Sequence, residues 1–323
     1  MSAPREPTPT GVVVVDKPAG CTSHDVVAWA RRALRTREVG HAGTLDPAAT
    51  GVLVLLVGEA TKLSSFITAE DKSYEATLRF GAETDSLDAD GEVTRTGPAE
   101  VDPAALREAL HEMVGPMLQV PPAVSAIKVG GVASHERVRR GEEVALPARE
   151  VTLCDARVLA HEGGDASIAM TCSKGFYVRA LARDLAARVG TVAHVRALRR
   201  TRSGCFDLEG SLPGETLRAA RSDDDARAAV RAALLPIEAL EGRVPSIRID
   251  LARARELRCG RVAEAPEGTP EGVLLALVDR GELPPRALGL ARSEGGALRA
   301  ERNLSDASVA DFLGNTARTQ GLG

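Results

Sequence analysis

Between Gly51 and Gly58 the sequence VLVLLV runs without a polar side chain, so it has to be buried on every side, as an interior strand or a short helix; its spacing fits either. The segment leading into it, GHAGTLDPAAT (residues 40–50), carries a single carboxylate, Asp46, with Pro47 directly behind. An aspartate so placed caps a turn or a helix, because its oxygens accept from backbone N–H groups and proline is preset for the first helical position. The same carboxylate, fixed on a glycine-rich loop with room above it for a ligand, is also a group built to attack something. Residues elsewhere in the chain separate these alternatives.

GVVVVDKPAG, from residue 11, reads as a short buried strand ended by Pro18 and Gly20. TSHDVVAWARRAL offers a capping pattern, Thr22 to Asp25, and apolar Val26, Val27, Ala30 and Leu34 at helical spacing. SYEATLRFG alternates, with Tyr74, Ala76, Leu78 and Phe80 on one face, the pattern of a half-buried strand. Asp102 and Pro103 open a helix with Leu106, Leu110 and Met113 inward. Residues 116–150, rich in Pro, Gly and charge, are expected to form a mobile insertion facing a substrate. Strands are expected at 150–158 and 167–172, and a helix from about Tyr177 to Val189, closed by Gly190.

Beyond Gly204 the texture changes to acidic and alanine-rich helices over 207–235 and short strands over 244–303, suited to a small β-barrel. At 323 residues two domains are expected. The fold class is α+β, a mixed, largely antiparallel sheet flanked by helices with a small C-terminal β domain. The expected division is a flexible N-terminus at 1–10, a catalytic domain at 11–241, the β domain at 244–303 and a frayed tail at 304–323. A chain cut near Glu241 is expected to keep all the chemistry, provided the cut exposes no large apolar face.

Five cysteines without a C-x-x-C pair, and six histidines without H-E-x-x-H, offer neither a disulfide framework nor a zinc site. An EF-hand frame over the acidic turn TDSLDADG (84–91) would put Gly97 where an acidic ligand belongs, so no metal is expected there. No G-K-[ST] follows the glycine-rich loop, which argues against a phosphate-binding hydrolase. VVVV at 12–15 is too short for a signal peptide or membrane span, which makes the cytoplasm the expected compartment. The net charge is −4, yet residues 171–202 hold eight basic side chains against Asp184 alone, and Arg31, Arg32, Arg35 and Arg37 form a second cluster. Two arginine-rich patches in an acidic chain suggest a local polyanion site. Aromatics make up only 2% of the chain, and Tyr74 and Tyr177 are its two tyrosines.

KPAGCTSHD, GHAGTLDPAATGVL, GEATK, KSYEA, TDSLDADG, SAIK, CSKGFYVRALARDL and HVRALRRTR occur in this order, and over roughly residues 11–205 the sequence resembles the bacterial tRNA pseudouridine-55 synthases of the TruB type. The resemblance implies a cofactor- and metal-free isomerisation of uridine 55 in the T loop of tRNA, in which uracil is detached from ribose, turned and rejoined through carbon 5. It implies Asp46 as the catalytic residue, Arg179 as its charge partner, and Tyr74 as the aromatic that stacks on the target base. Tyr177 and Leu198 match positions lining the same pocket, Lys62 matches the lysine of G-E-A-T-K, and His41 matches a histidine associated with opening the RNA loop. Asp88 matches a position that could hold Arg179 from its far side. Arg199 and Arg202 are expected to meet RNA phosphate, with the tRNA T-arm as partner, no membrane and a monomeric enzyme. Two positions depart from the pattern: Val124 stands where an aromatic often precedes S-A-[IL]-K, and Phe176 replaces a commonly polar residue. The segment from 244 to 303 resembles the family's PUA-type RNA-binding domain through LRCGR and LRAERNL. The rival from another class is a tRNA-binding or RNA-folding protein with incidental or lost catalysis; intact Asp46, Tyr74 and Arg179 speak against loss.

Overall fold

The computed structural model describes residues 8–305 apart from positions 126, 130, 135, 136, 138, 139 and 143. The strands of the main sheet are β1 (Gly11–Lys17), β2 (Val39–His41), β3 (Thr50–Val57), β4 (Lys72–Phe80), β5 (Gly115–Gln119), β6 (Arg149–Glu162), β7 (Asp165–Cys172), β8 (Ala193–Ser203), β9 (Phe206–Asp207) and β10 (Leu212–Pro213). They lie in the order β10-β1-β3-β8-β4-β7-β6-β5, with β9 beside β8 and β2 beside β3. Pairing is antiparallel except for β1 with β10 and β3 with β8. Helices α1 (Ser23–Ala33), α2 (Ser64–Thr68), α3 (Pro103–Glu112), α4 (Val178–Arg188), α5 (Gly214–Ala219) and α6 (Asp224–Ala232) accompany it.

The apolar run becomes strand β3. Val52, Val54 and Leu56 join one core, while Leu53, Leu55 and Val57 join a second with Val26, Val27 and Ala30 of α1. Alternation puts successive side chains on opposite faces, and a strand covered on both faces has no place for a polar residue. Helix α1 starts at the expected capping box, Thr22 and Asp25 each bonding the other's backbone N–H. Gly51 lets β3 meet β8: its φ is +101°, and a Cβ there would lie 2.1 Å from the Arg200 carbonyl oxygen.

The C-terminal part forms a second, curled sheet of β11 (Ser246–Ile249), β12 (Ala263–Glu264), β13 (Gly272–Arg280), β14 (Leu283–Glu294) and β15 (Ala297–Asn303), in the order β11-β13-β14-β15-β12, with α7 (Leu251–Arg258). Its interior is not separate. Val52, Val54, Leu56, Leu63 and Ile67 share one continuous buried cluster with Ile237, Leu240, Leu275, Leu277, Leu288 and Leu298.

Three expected boundaries move. Residues 115–119 are an edge strand paired with β6 through Arg149↔Gln119, so the insertion spans 120–148. Leu304 is buried and its N–H donates to Leu288, which fixes the chain as far as the start of the expected tail. Thr10 Oγ1 accepts from the Glu59 N–H, so the expected flexible N-terminus is docked at its inner end; residues 1–7 and 306–323 lie outside the described residues. No described helix is long and apolar enough to cross a membrane.

Candidate active site

The loop carrying Asp46 is held by its backbone carbonyls. Lys17, fully buried at the end of β1, donates to the carbonyls of Pro18 (3.0 Å), Pro47 (3.1 Å) and Ala49 (2.7 Å). Arg200, 1% exposed on β8, donates from Nε to Val52 (2.7 Å) and from its terminal nitrogens to Thr44 (3.3 Å) and Gly43 (3.0 Å). Ser23 Oγ accepts from the Leu45 N–H at 2.9 Å and donates to the Leu45 carbonyl at 3.1 Å. Loop carbonyls that water would otherwise solvate are thereby satisfied by side chains, which fixes the backbone on either side of Asp46.

The Asp46 carboxylate itself caps no turn or helix among the described residues. Among the described residues its partner is Arg179, whose Nε lies 3.1 Å from Oδ2; the aspartate side chain is 40% exposed and the arginine 7%. Arg179 is on the first turn of α4, and its other side meets the acidic turn: Nη1 donates to the Ser86 carbonyl at 2.8 Å and stands 3.5 Å from Asp88 Oδ2. That turn is braced by Thr84 Oγ1 and by Ser86 Oγ, which donate to the carbonyl and carboxylate of Asp88. Burial pushes the Asp46 carboxyl above its ordinary range; Arg179 and Lys17 oppose this and Asp88 adds to it. The charge partner therefore moderates the effect of burial without overcoming it.

Asp46 opens on a cavity of about 270 Å³ lined by Tyr74, Tyr177, Leu198, Lys72, Phe176 and Arg200 among others. Tyr74 stands on β4 opposite Arg200 and is half-buried; burial raises its phenol. Tyr177 precedes α4, and its backbone is clamped by Gln119, which accepts from the Tyr177 N–H at 2.8 Å and donates to its carbonyl at 3.2 Å. Leu198 packs against two of the protein's cores while also lining the cavity.

Five expected residues, His41, Lys62, Asp88, Arg199 and Arg202, are not among those lining this cavity. His41, on β2, meets His24 edge to face at 5.6 Å, and burial lowers its imidazole. Lys62 pairs with Glu59 at 2.8 Å and lines a neighbouring groove with Lys174, Thr68 and Arg302. The basic patch is largely spent within the protein. Arg183, Arg188 and Arg196 pair with Asp184, Glu112 and Asp165, Arg199 pairs with Asp16 at 2.8 Å, and Arg202 donates to Ser73 and the Gly204 carbonyl. Lys174, exposed between the two cavities, has no ion-pair partner among the described residues.

Residues 31–178 match the TruB family pseudouridylate synthase N-terminal domain, and residues 179–240 the tRNA pseudouridylate synthase B C-terminal domain. The tRNA pseudouridine synthase B of Streptomyces coelicolor is 44% identical over 84% of this chain and 94% of its own length. The chain belongs to the TruB family. A second member, from Aromatoleum aromaticum, is 41% identical over 93% of this chain and 94% of its own. In fold, a solved Cbf5-Nop10-Gar1 complex contains a chain that superposes with a TM-score of 0.68 at 23% identity, over 94% of this chain and 91% of that one.

The residues that sequence reasoning missed are the buried cations Lys17 and Arg200, together with Lys72, Ser23 and Gln119. Lys17 and Arg200 sit inside quoted motifs, but nothing in residue spacing distinguishes an arginine on carbonyls from one on phosphate.

Proposed function

We propose that this chain isomerises uridine 55 in the T loop of tRNA to pseudouridine, with Asp46 as the reacting carboxylate. The observation that carries the reading is the position of Asp46: a partly exposed carboxylate at a cavity, 3.1 Å from a buried arginine, on a loop whose carbonyls are tied down on both sides. Membership of a pseudouridylate synthase family supports the reaction class. A lone carboxylate suits isomerisation, whereas hydrolytic glycosidases generally use two, one of which activates water.

Uridine 55 lies within folded RNA and flips into the cavity. Its base stacks on Tyr74, with Leu198 and Tyr177 closing the pocket, and Asp88 holds Arg179 while Arg179 holds Asp46. Exclusion of water favours recapture of the base over hydrolysis. His41 acts where the RNA loop opens, and Lys62, Lys174, Arg199 and Arg202 meet phosphates. The enzyme uses no cofactor and works as a cytoplasmic monomer.

The test is to map pseudouridine in an unmodified tRNA transcript before and after incubation, together with release of the carbon-5 hydrogen. A protein that only binds or folds tRNA releases none. Modification at another uridine would overturn the site assignment.

A further inference from the structure

The cavity holds more positive charge than its carboxylate explains. Arg179 is taken up by Asp46 and Asp88, and Arg200 by the carbonyls of Gly43, Thr44 and Val52. Lys72, also on the cavity wall and 7% exposed, is not so fully used. Its Nζ donates to the carbonyls of Thr68, at 2.7 Å, and Glu70, which anchors it at the C-terminal end of α2. An ammonium has three donors. The third has no acceptor, and no carboxylate pairs with Lys72, among the described residues. A cap on a helix end needs no burial, and a buried ammonium without a counter-ion is costly to keep.

Position suggests what the third donor is for. Lys72 and Tyr74 lie two residues apart on β4 and both line the cavity. Two residues of strand rise about 7 Å. Residues two apart on a strand share a face, so the Lys72 ammonium and a pyrimidine ring lying on Tyr74 are neighbours in the cavity.

We propose that Lys72 is a catalytic residue, which donates to a carbonyl oxygen of the target uracil and holds the negative charge that develops there during isomerisation. The proposal rests on the reading of the site as a pseudouridine synthase. In that reaction the N1–C1′ bond breaks, a C5–C1′ bond forms, C5 gives up a proton and N1 takes one up, so substrate and product are isomers. If Asp46 adds to C1′, the electron pair of the broken bond leaves with uracil; if it adds to C6, the pair is pushed towards O4. Either way the carbonyl oxygens of the base gain negative charge, and Lys72 remains an ammonium throughout. A fixed, charged donor in a site sheltered from water is most effective where charge develops.

Lys72 is faced by Arg200 from β8, Cys172 from β7, and Glu70 and Asp71 from the segment leading into β4. Burial first, and then Arg200, lowers its ammonium to about 8. A reaction that needs the ammonium loses rate as pH rises through that value.

The experiment is single-turnover conversion of an unmodified T-arm stem-loop RNA by the full-length protein and its Lys72→Met and Lys72→Arg variants, across pH. Lys72→Met is expected to slow conversion by about 10²-fold, the effect of deleting one donor to a developing anion, with RNA affinity unchanged. Lys72→Arg restores most of the rate and moves the alkaline fall to higher pH, because a guanidinium stays charged. Parental rate in Lys72→Met overturns the proposal, as does a Lys72→Arg enzyme that still loses activity near pH 8. Should Lys72→Met fail to fold, the Lys72→Arg profile decides between the same outcomes. A parental protein inactive on this RNA overturns the reading of the site itself, whereas an active parent with an equally active Lys72→Met overturns the lysine's role alone.

Discussion

Cutting the chain after Glu241 removes the curled sheet and leaves every proposed site residue in place. The sequence alone suggests that such a fragment works as long as the cut exposes no large apolar face. The shared core predicts that it does not fold. Val52, Val54, Leu56 and Leu63 are fully buried and Ile67 is 1% exposed, in one cluster with residues of β11, β13, β14 and β15. Burial of such a side chain contributes about 1.5–3 kcal/mol. The segment Gly58–Leu63 packs directly on β14, and uncovering three such side chains costs about 5–9 kcal/mol, comparable to the roughly 5–15 kcal/mol that holds a whole domain folded. Val52 also carries the carbonyl that accepts from Arg200, so loosening β3 loosens the Asp46 loop. Circular dichroism melting of residues 1–241 is expected to show no cooperative transition, and the fragment to leave a T-arm stem-loop unmodified. A fragment that melts cooperatively within a few degrees of the full chain would refute the shared-core argument.

Asp46→Asn keeps the shape of the loop and removes the charge; turnover measured on tRNA falls by several orders of magnitude with binding little changed. In the proposed reaction Asp46 acts as the ionised carboxylate, so the rate is expected to be lost as pH falls through a pKa already raised by burial. Removing the neighbouring cation in Arg179→Met moves that acid limb to higher pH, and removing the repulsive carboxylate in Asp88→Asn moves it lower, as read from single-turnover pH profiles. Gly51→Ala forces a Cβ to within 2.1 Å of the Arg200 carbonyl oxygen at a positive φ, and a marked drop in Tm is expected, since the β3–β8 pairing has to open. Lys174→Ala lowers the salt dependence of RNA binding by about one unit of slope. Arg199→Ala lowers it by less, because Arg199 is engaged with Asp16.

The elements were legible wherever local chemistry and burial agree. Thr22 and Asp25 announce α1, Asp102 and Pro103 announce α3, and the alternation from Tyr74 to Phe80 announces β4. What could not be read is what depends on distant partners. VLVLLV is equally good as strand or helix until α1 covers one face and the C-terminal sheet lies in the core of the other, and Gly115–Gln119 looks like loop because its pairing partner, β6, begins thirty residues later. How the basic patch is shared between the chain and a polyanion could not be read for the same reason. Eight cations in 32 residues look like a polyanion surface, yet Arg179 and Arg200 are buried and five others find acceptors within the chain.

The buried cations explain how one carboxylate can be both held still and kept basic. A carboxylate immobilised by several donors of its own would be stabilised as an anion and made a poorer nucleophile or base. Here the donors of Lys17 and Arg200 go instead to carbonyls on the loop around it, at Pro47, Ala49, Gly43 and Thr44. Asp46 is thus positioned through its backbone, with Arg179 the one partner of its oxygens among the described residues, and burial leaves its carboxyl above the ordinary range. Replacing Arg200 should therefore act by releasing the loop, with loss of rate accompanied by loss of order around residues 43–49; replacing Lys17 releases the loop and also removes a cation that favours the ionised carboxylate, whereas replacing Arg179 acts on the charge of the carboxylate and leaves the loop in place.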